Sequence, residues 1–166
     1  MDFEKVVKMH YRNLYLFGLS LCSSEADAGD LTQHTFLQFA KNFSRFNAGS
    51  NVKSWLFTTL YHRFIDIRRR SSRFTETPFE EEFREVEDRT FDVATRIDAA
   101  TVRDCMLELE EHFRSVLSLF YLEGFSYKEI AEILELPVGT VMSRLHRGKA
   151  LLASLITDYQ PKEGQP

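Results

Sequence analysis

Cations set among small hydroxyls and aromatics carry the chemical potential of this sequence, which offers no nucleophile with a base, no metal cluster and no phosphate loop. Between Gly139 and Lys149 stand Arg144, Arg147 and Lys149 with Thr140 and Ser143, and no acid. Small residues allow close approach to a groove, and arginine bonds guanine edges or phosphates. A second set joins Lys53, Arg63, Arg68, Arg69, Arg70 and Arg73 to Trp55, Phe57 and Tyr61. Such surfaces hold single-stranded nucleic acid through backbone charge and base stacking, although arginines at a helix C-terminus also complement the dipole there. Cys22 and Cys105 are isolated and read as small buried hydrophobes. His62 and Asp66, one helical turn apart, lack further ligands and read as a polar pair on a wet face. Neither a catalytic residue nor a metal or cofactor is expected.

The cations of the C-terminal part are positioned by the run Glu123 to Ala150. Tyr127, Ile130, Ala131 and Leu134 fall at helical spacing, Glu135-Leu136-Pro137 interrupts, and Val138, Val141, Leu145 and Leu152 resume it. Ser126 with Glu129 three residues on predicts a capping box, and Pro137 turns the chain before a second helix begins. Two short helices about a tight turn make a helix-turn-helix. The second helix is predicted to bury the stripe from Val138 to Leu152 and to turn Thr140, Ser143, Arg144 and Arg147 outward as a DNA-contacting face.

Upstream, Phe3, Val7, His10, Leu14, Phe17 and Leu21 form one seam of a helix over about Phe3 to Cys22, with His10 at the core edge. Ser23 to Ala26 reads as a turn and Asp27 as the cap of the next helix, whose buried side is Leu31, Thr35, Phe36 and Phe39. A loop from Phe43 to Asn51 precedes a third helix over about Val52 to Arg70, with Val52, Leu56, Leu60, Phe64 and Ile67 as its core stripe. Val102, Met106 and Leu109, then Phe113, Val116, Leu117 and Phe120, predict two further helices, so that the C-terminal unit has four.

The 166 residues carry a net charge of −4, which by itself argues against nucleic acid, but the charge is unevenly spread. Residues 1–74 have a balance of +5, residues 75–100 of −6 and residues 101–166 of −3. Residues 75–98, with Thr75-Glu76-Thr77-Pro78 and Glu80-Glu81-Glu82, lose apolar spacing and read as an acidic linker; residues 160–166 read as a disordered tail. At 43% apolar content the rest can form a core. The longest apolar run, Leu14 to Cys22, is far shorter than a membrane span, and the MDFEK start has no signal-peptide pattern, so a cytoplasmic protein without membrane insertion is expected. The fold expectation is all-α: two small helical domains, 1–74 and 99–159, joined by a flexible acidic linker.

Asp27-Ala28-Gly29-Asp30-Leu31-Thr32-Gln33-His34-Thr35-Phe36-Leu37, Trp55-Leu56-Phe57, Gly124-Phe125-Ser126-Tyr127-Lys128-Glu129-Ile130-Ala131, and Pro137-Val138-Gly139-Thr140-Val141 with Ser143-Arg144-Leu145-His146-Arg147 together resemble the extracytoplasmic-function (ECF) sigma factors, initiation subunits of bacterial RNA polymerase. The resemblance implies that the first domain is region 2, which binds the polymerase clamp and opens the minus-ten element, and the last is region 4, which reads the minus-thirty-five element. It implies core RNA polymerase, promoter DNA as duplex and as melted non-template strand, and an anti-sigma factor as partners, with the linker threading the polymerase cleft and no chemistry of the chain's own. Carried onto this sequence, it assigns Asp27, Asp30, Leu31 and Gln33 to core polymerase. Asn47, Ser50, Asn51, Lys53, Trp55, Tyr61, Arg63, Arg68 and Arg69 go to the minus-ten strand, and Pro137, Gly139, Thr140, Ser143, Arg144 and Arg147 to the minus-thirty-five duplex. Trp55 fits either a stacking platform or a wedge holding the loop. Gly29 and His34 replace usual glutamates of the clamp-binding helix, Met142 replaces a usual cation of the recognition helix and its DNA contact, and Glu110-Glu111-His112 departs from a usual Leu-Pro turn. A stand-alone helix-turn-helix regulator is the other reading; it accounts for the C-terminal domain and leaves Asp27 to Arg70 without a role.

Overall fold

In the computed structural model, which describes residues 1–71 and 99–159, every regular element is helical. The acidic linker and the C-terminal tail expected from the sequence lie outside the described residues. Three helices make the N-terminal unit: α1 (Phe3–Cys22), α2 (Glu25–Asn42) and α3 (Val52–Ser71). The Asp2 carboxylate starts α1 by accepting the Glu4 N–H at 3.0 Å, and Ser23, in the left-handed region at φ 54°, ends it. The predicted cap at Asp27 is displaced. Ser24 is the cap, its hydroxyl accepting the Asp27 N–H at 3.3 Å, so α2 begins where a turn was expected. A hydroxyl and a carboxylate three residues apart both fit a helix start, and sequence spacing does not choose between them.

Leu14, Phe17 and Leu21 of α1, Leu31, Phe36 and Phe39 of α2, and Leu56, Phe57, Leu60 and Phe64 of α3 form the core of this unit. Thr32 and Thr35 are buried among them without penalty, since each hydroxyl donates one turn back, to Ala28 O at 2.7 Å and Leu31 O at 2.8 Å. Two residues of α3 depart from the predicted pattern. Ile67, placed in the core stripe, is 42% exposed, and Phe57, placed on the aromatic surface, is wholly buried. Phe57 has a partner beyond its own unit, the Phe125 ring with centroids 5.3 Å apart.

The C-terminal unit comprises α4 (Ala99–Glu108), α5 (Glu111–Leu117), a π-helical turn (Ser118–Leu122), α6 (Tyr127–Leu134) and α7 (Val138–Asp158). Gly124, at φ +70°, releases the chain from the π turn. The predicted capping box is present: the Glu129 carboxylate accepts the Ser126 N–H at 2.9 Å, and the Ser126 hydroxyl accepts the Glu129 N–H at 3.3 Å. The Ser126 N–H, and then the Ser126 hydroxyl at 2.9 Å, donating to the Glu129 carboxylate hold it below its ordinary pKa. Glu135 closes α6 in the left-handed region and Pro137 opens α7, giving the helix-turn-helix. Helices α5 and α7 meet closely at Gly148, where a β-carbon would stand 3.2 Å from Leu117 and 3.3 Å from Phe113. Val138, placed in the buried stripe with Val141 and Leu145, is instead 41% exposed.

The two units pack on each other. Arg114 of α5, 7% exposed, donates to Ser20 O of α1 through Nε and to Leu107 O and Leu109 O, each at 2.9 Å, through Nη1. A buried guanidinium with three carbonyl acceptors ties α1 to the α4–α5 turn.

Candidate nucleic-acid interface

The loop before α3 is a hydrogen-bonded turn. The Asn47 N–H donates to Ser50 Oγ at 3.0 Å, the Gly49 N–H donates to Asn47 Oδ1 at 3.0 Å, and the Ser50 hydroxyl donates to the same oxygen at 3.3 Å. Asn51 Oδ1 accepts the Ser54 N–H at 3.1 Å, serving the first turn of α3. Asn47 and Asn51 are exposed, so the turn presents amides to solvent in a fixed arrangement. Trp55 anchors this turn to the bundle. Its ring lies edge-on to Phe46 at 5.1 Å and tilted to Phe39 at 6.0 Å. Of the two roles the sequence left open, the packing is that of the wedge.

The cations of α3 are divided between two faces. Lys53, Phe57, Tyr61 and Arg68 face the C-terminal unit, which meets them with acids. Glu123, its side chain 6% exposed, accepts from Lys53 through its backbone carbonyl, places its carboxylate 3.5 Å from the ammonium, and accepts Asn13 Nδ2 at 3.1 Å. The Lys53 ammonium also stands 4.7 Å over the Phe125 ring. Arg68 Nη1 donates to Glu111 Oε2 at 2.9 Å, and His62 Nε2 lies 3.1 Å from Glu135 Oε1. Burial pushes the Glu111 carboxyl above its ordinary pKa, against the pull of Arg68 and Arg114. Tyr61 sits in the same seam, where burial first and then Glu111 push its phenol up to about 12.

Arg63 is elsewhere. With Asp30, Leu31, Gln33, His34, Leu37 and Ile67 it lines an open groove of about 570 Å³ between α2 and α3. Burial, then Arg63, holds the His34 imidazole below its ordinary pKa. Of the four residues expected to contact polymerase, Asp27, Asp30 and Gln33 are exposed, whereas Leu31 is 2% exposed and belongs to the core. Leu37 and Ile67, 53% and 42% exposed at the groove's edge, were not singled out from the sequence. Leu37 follows Gln33 by one helical turn, the spacing that could have found it.

On α7 the predicted contacts Thr140, Ser143, Arg144 and Arg147 are half-buried, and the Ser143 hydroxyl donates to Thr140 O at 3.1 Å. Arg144 leans toward the seam, near enough to act electrostatically on Tyr61 and Glu111. Pro137, Val138, Gly139, Met142, His146 and Lys149 are the exposed residues of this part of α7 and its cap.

Residues 6–74 match the family model for Sigma-70 region 2, and residues 99–152 that for Sigma-70, region 4. The sigma factor EcfG of Rhodopseudomonas palustris is 33% identical over 156 residues, covering 87% of this chain and 79% of that protein. The chain belongs to the ECF RNA polymerase sigma factors. SigE of Mycolicibacterium smegmatis is 28% identical over 99% of this sigma factor, which spans 65% of that relative's length. The sigma factor RpoE of Bartonella quintana, solved in complex with the anti-sigma factor NepR, is 27% identical, superimposes with a TM-score of 0.72, and is matched over 99% of its chain by 96% of this one. The region 2 match takes in most of α1 and all of α2 and α3, and the region 4 match runs from α4 into α7. In this sigma factor no helix among the described residues is long and apolar enough to cross a membrane, and no group of three or more His, Cys, Asp or Glu among them could hold a metal ion.

Proposed function

We propose that this ECF sigma factor binds core RNA polymerase, directs it to promoters, and promotes opening of the minus-ten element, acting in the cytoplasm without catalytic residues of its own. Residues 1–74 serve as the region 2 domain, 75–98 as the linker and 99–159 as the region 4 domain. The observation that carries the reading is the union in one chain of the two sigma regions, one bearing a rigid amide-presenting turn beside cationic α3, the other a helix-turn-helix whose second helix has no acid before Asp158. A stand-alone regulator needs only the second.

The groove between α2 and α3, with exposed Asp27, Asp30 and Gln33 beside it, is the surface we assign to the polymerase clamp. Helix α7 enters the major groove of the upstream element, with Arg144 and Arg147 supplying charge and Thr140 and Ser143 permitting close approach. Opening a duplex costs a few kcal/mol per unstacked base and must be repaid by binding the exposed strand. Asn47, Ser50 and Asn51 hold the captured base, while Lys53, Arg68 and Arg69 track phosphates; Trp55 sets the position of the turn. Lys53 and Arg68 do this after Glu123 and Glu111 release them, so productive binding requires the two units to part. An anti-sigma partner is inferred from the relative solved in complex with NepR, whose sigma-factor chain has the same fold.

Electrophoretic binding assays with genomic promoter fragments test the reading. The sigma factor alone should leave the duplex unshifted and should shift it when core polymerase is added. Tight, site-specific shifting by the free protein would support the stand-alone regulator instead.

A further inference from the structure

The recognition helix carries an apolar pair that its neighbours do not cover. Val138 and Met142, one turn apart on α7, are 41% and 50% exposed. Gly139 between them is open, with no atom within 4 Å of the β-carbon it lacks. His146 and Lys149 continue the exposed stripe toward the C-terminus. Val141 and Leu145, by contrast, are buried, so the pair is separate from the core stripe of the same helix.

We infer that Val138 and Met142 read the 5-methyl group of thymine in the upstream element. This rests on the reading that α7 lies in the major groove. In that groove the thymine methyl is the apolar mark among the base edges, and apolar side chains are what recognise it. Charge supports DNA as the occupant of this face: Lys149 stands in line with the pair on the exposed stripe, and no acid stands between Val138 and Lys149. Gly139 lets the helix start approach the base edges closely, and the unbranched thioether of Met142 adapts to the methyl's position. The cationic and hydroxylated residues thus set affinity and register, while the pair selects thymine over cytosine at one or two adjacent positions.

Replacing each thymine of the upstream element by deoxyuridine removes the methyl and leaves every hydrogen-bonding group in place. Competition binding would use holoenzyme reconstituted from core polymerase and this sigma factor, on a promoter whose upstream element has been mapped by single-base changes. Deoxyuridine at one or two adjacent positions should weaken binding by about fourfold each, the factor for withdrawing one methyl from apolar contact. Met142→Ala or Val138→Ala should abolish that sensitivity at its own position while keeping the response to other base changes. Both side chains are exposed, so the variants should melt as the parent does. Insensitivity to deoxyuridine with undiminished response to base changes would overturn the methyl-reading role and keep the helix in the groove. Sensitivity that persists unchanged in both variants would also overturn it. Indifference to every base change in the element would remove the groove reading itself.

Discussion

Glu123, in the turn before the helix-turn-helix, holds Lys53 of α3 by two oxygens at once, its carboxylate 3.5 Å from the ammonium and its backbone carbonyl accepting directly. Lys53 begins the cationic face of region 2, and Glu123 belongs to region 4. The pair therefore places an acid of the region 4 unit on a cation of the region 2 unit, and Arg68 with Glu111 repeats the arrangement near the far end of α3.

Removing one partner should loosen this closure. Glu123→Gln keeps the shape and the carbonyl contact but removes the charge, leaving a partly buried ammonium with a weaker acceptor at a cost of about 1–2 kcal/mol. Amide exchange should quicken along the facing sides of α3 and α6 while the core of each unit stays protected. Equal exchange in parent and variant would mean that Phe57, Phe125 and Arg114 hold the units together unaided.

The turn before α3 offers a cleaner test of strand opening than its helix. Asn47→Ala and Ser50→Ala should leave binding to core polymerase intact and reduce permanganate-reactive thymine in the minus-ten region, with partial rescue on a pre-melted promoter. Asn51→Ala should do the same and also cost about 1 kcal/mol of stability, because its side chain serves the first turn of α3. Normal opening in all three would make the turn a connector.

Core binding should depend on the rim of the groove between α2 and α3. Asp30→Ala with Gln33→Ala should weaken affinity for core polymerase about tenfold without lowering the melting temperature, since both residues are exposed. Leu37→Ala, at the same rim, should add to the loss. Unchanged affinity in the triple variant would place the clamp contact elsewhere.

Stability should fall on mild acidification. Burial, then Lys53, holds the His10 imidazole below its ordinary value of 6.5, with Glu123 opposing; burial lowers His34 likewise. A histidine whose folded pKa is depressed contributes stability above its unfolded pKa and loses it as pH falls toward the folded one. The melting temperature should therefore drop between about pH 7.5 and about pH 5.5, and less so in His10→Gln. A drop of equal size in both proteins would assign the effect to other groups.

What could be read in the sequence was local. The span of α1, the capping box at Ser126 and the break at Pro137 are set by residues within a few positions of each other, and the structure has them. Phe57, Ile67 and Val138 went astray because helical spacing shows that a stripe exists without showing what covers it. Phe57 is buried between Phe17 of its own unit and Phe125, far along the chain, and no periodicity within α3 registers that second partner. The same distance hid the acids that meet Lys53 and Arg68, and the predicted open face of α3 is in part a domain seam. The π turn after α5 left no mark that helical spacing could distinguish from an ordinary helix end. Leu31 carried two demands, core and contact, and in the fold it is buried while also lining the groove between α2 and α3.

The central claim is that this chain supplies promoter selection and opening to a polymerase that lacks both. Run-off transcription with bacterial core polymerase on linear genomic promoter fragments measures it most directly. With the sigma factor present, discrete transcripts should appear from a subset of fragments, absent with core alone, and should fail with Asn47→Ala unless the minus-ten region is pre-melted. Core polymerase giving the same transcripts with and without the protein would contradict the account.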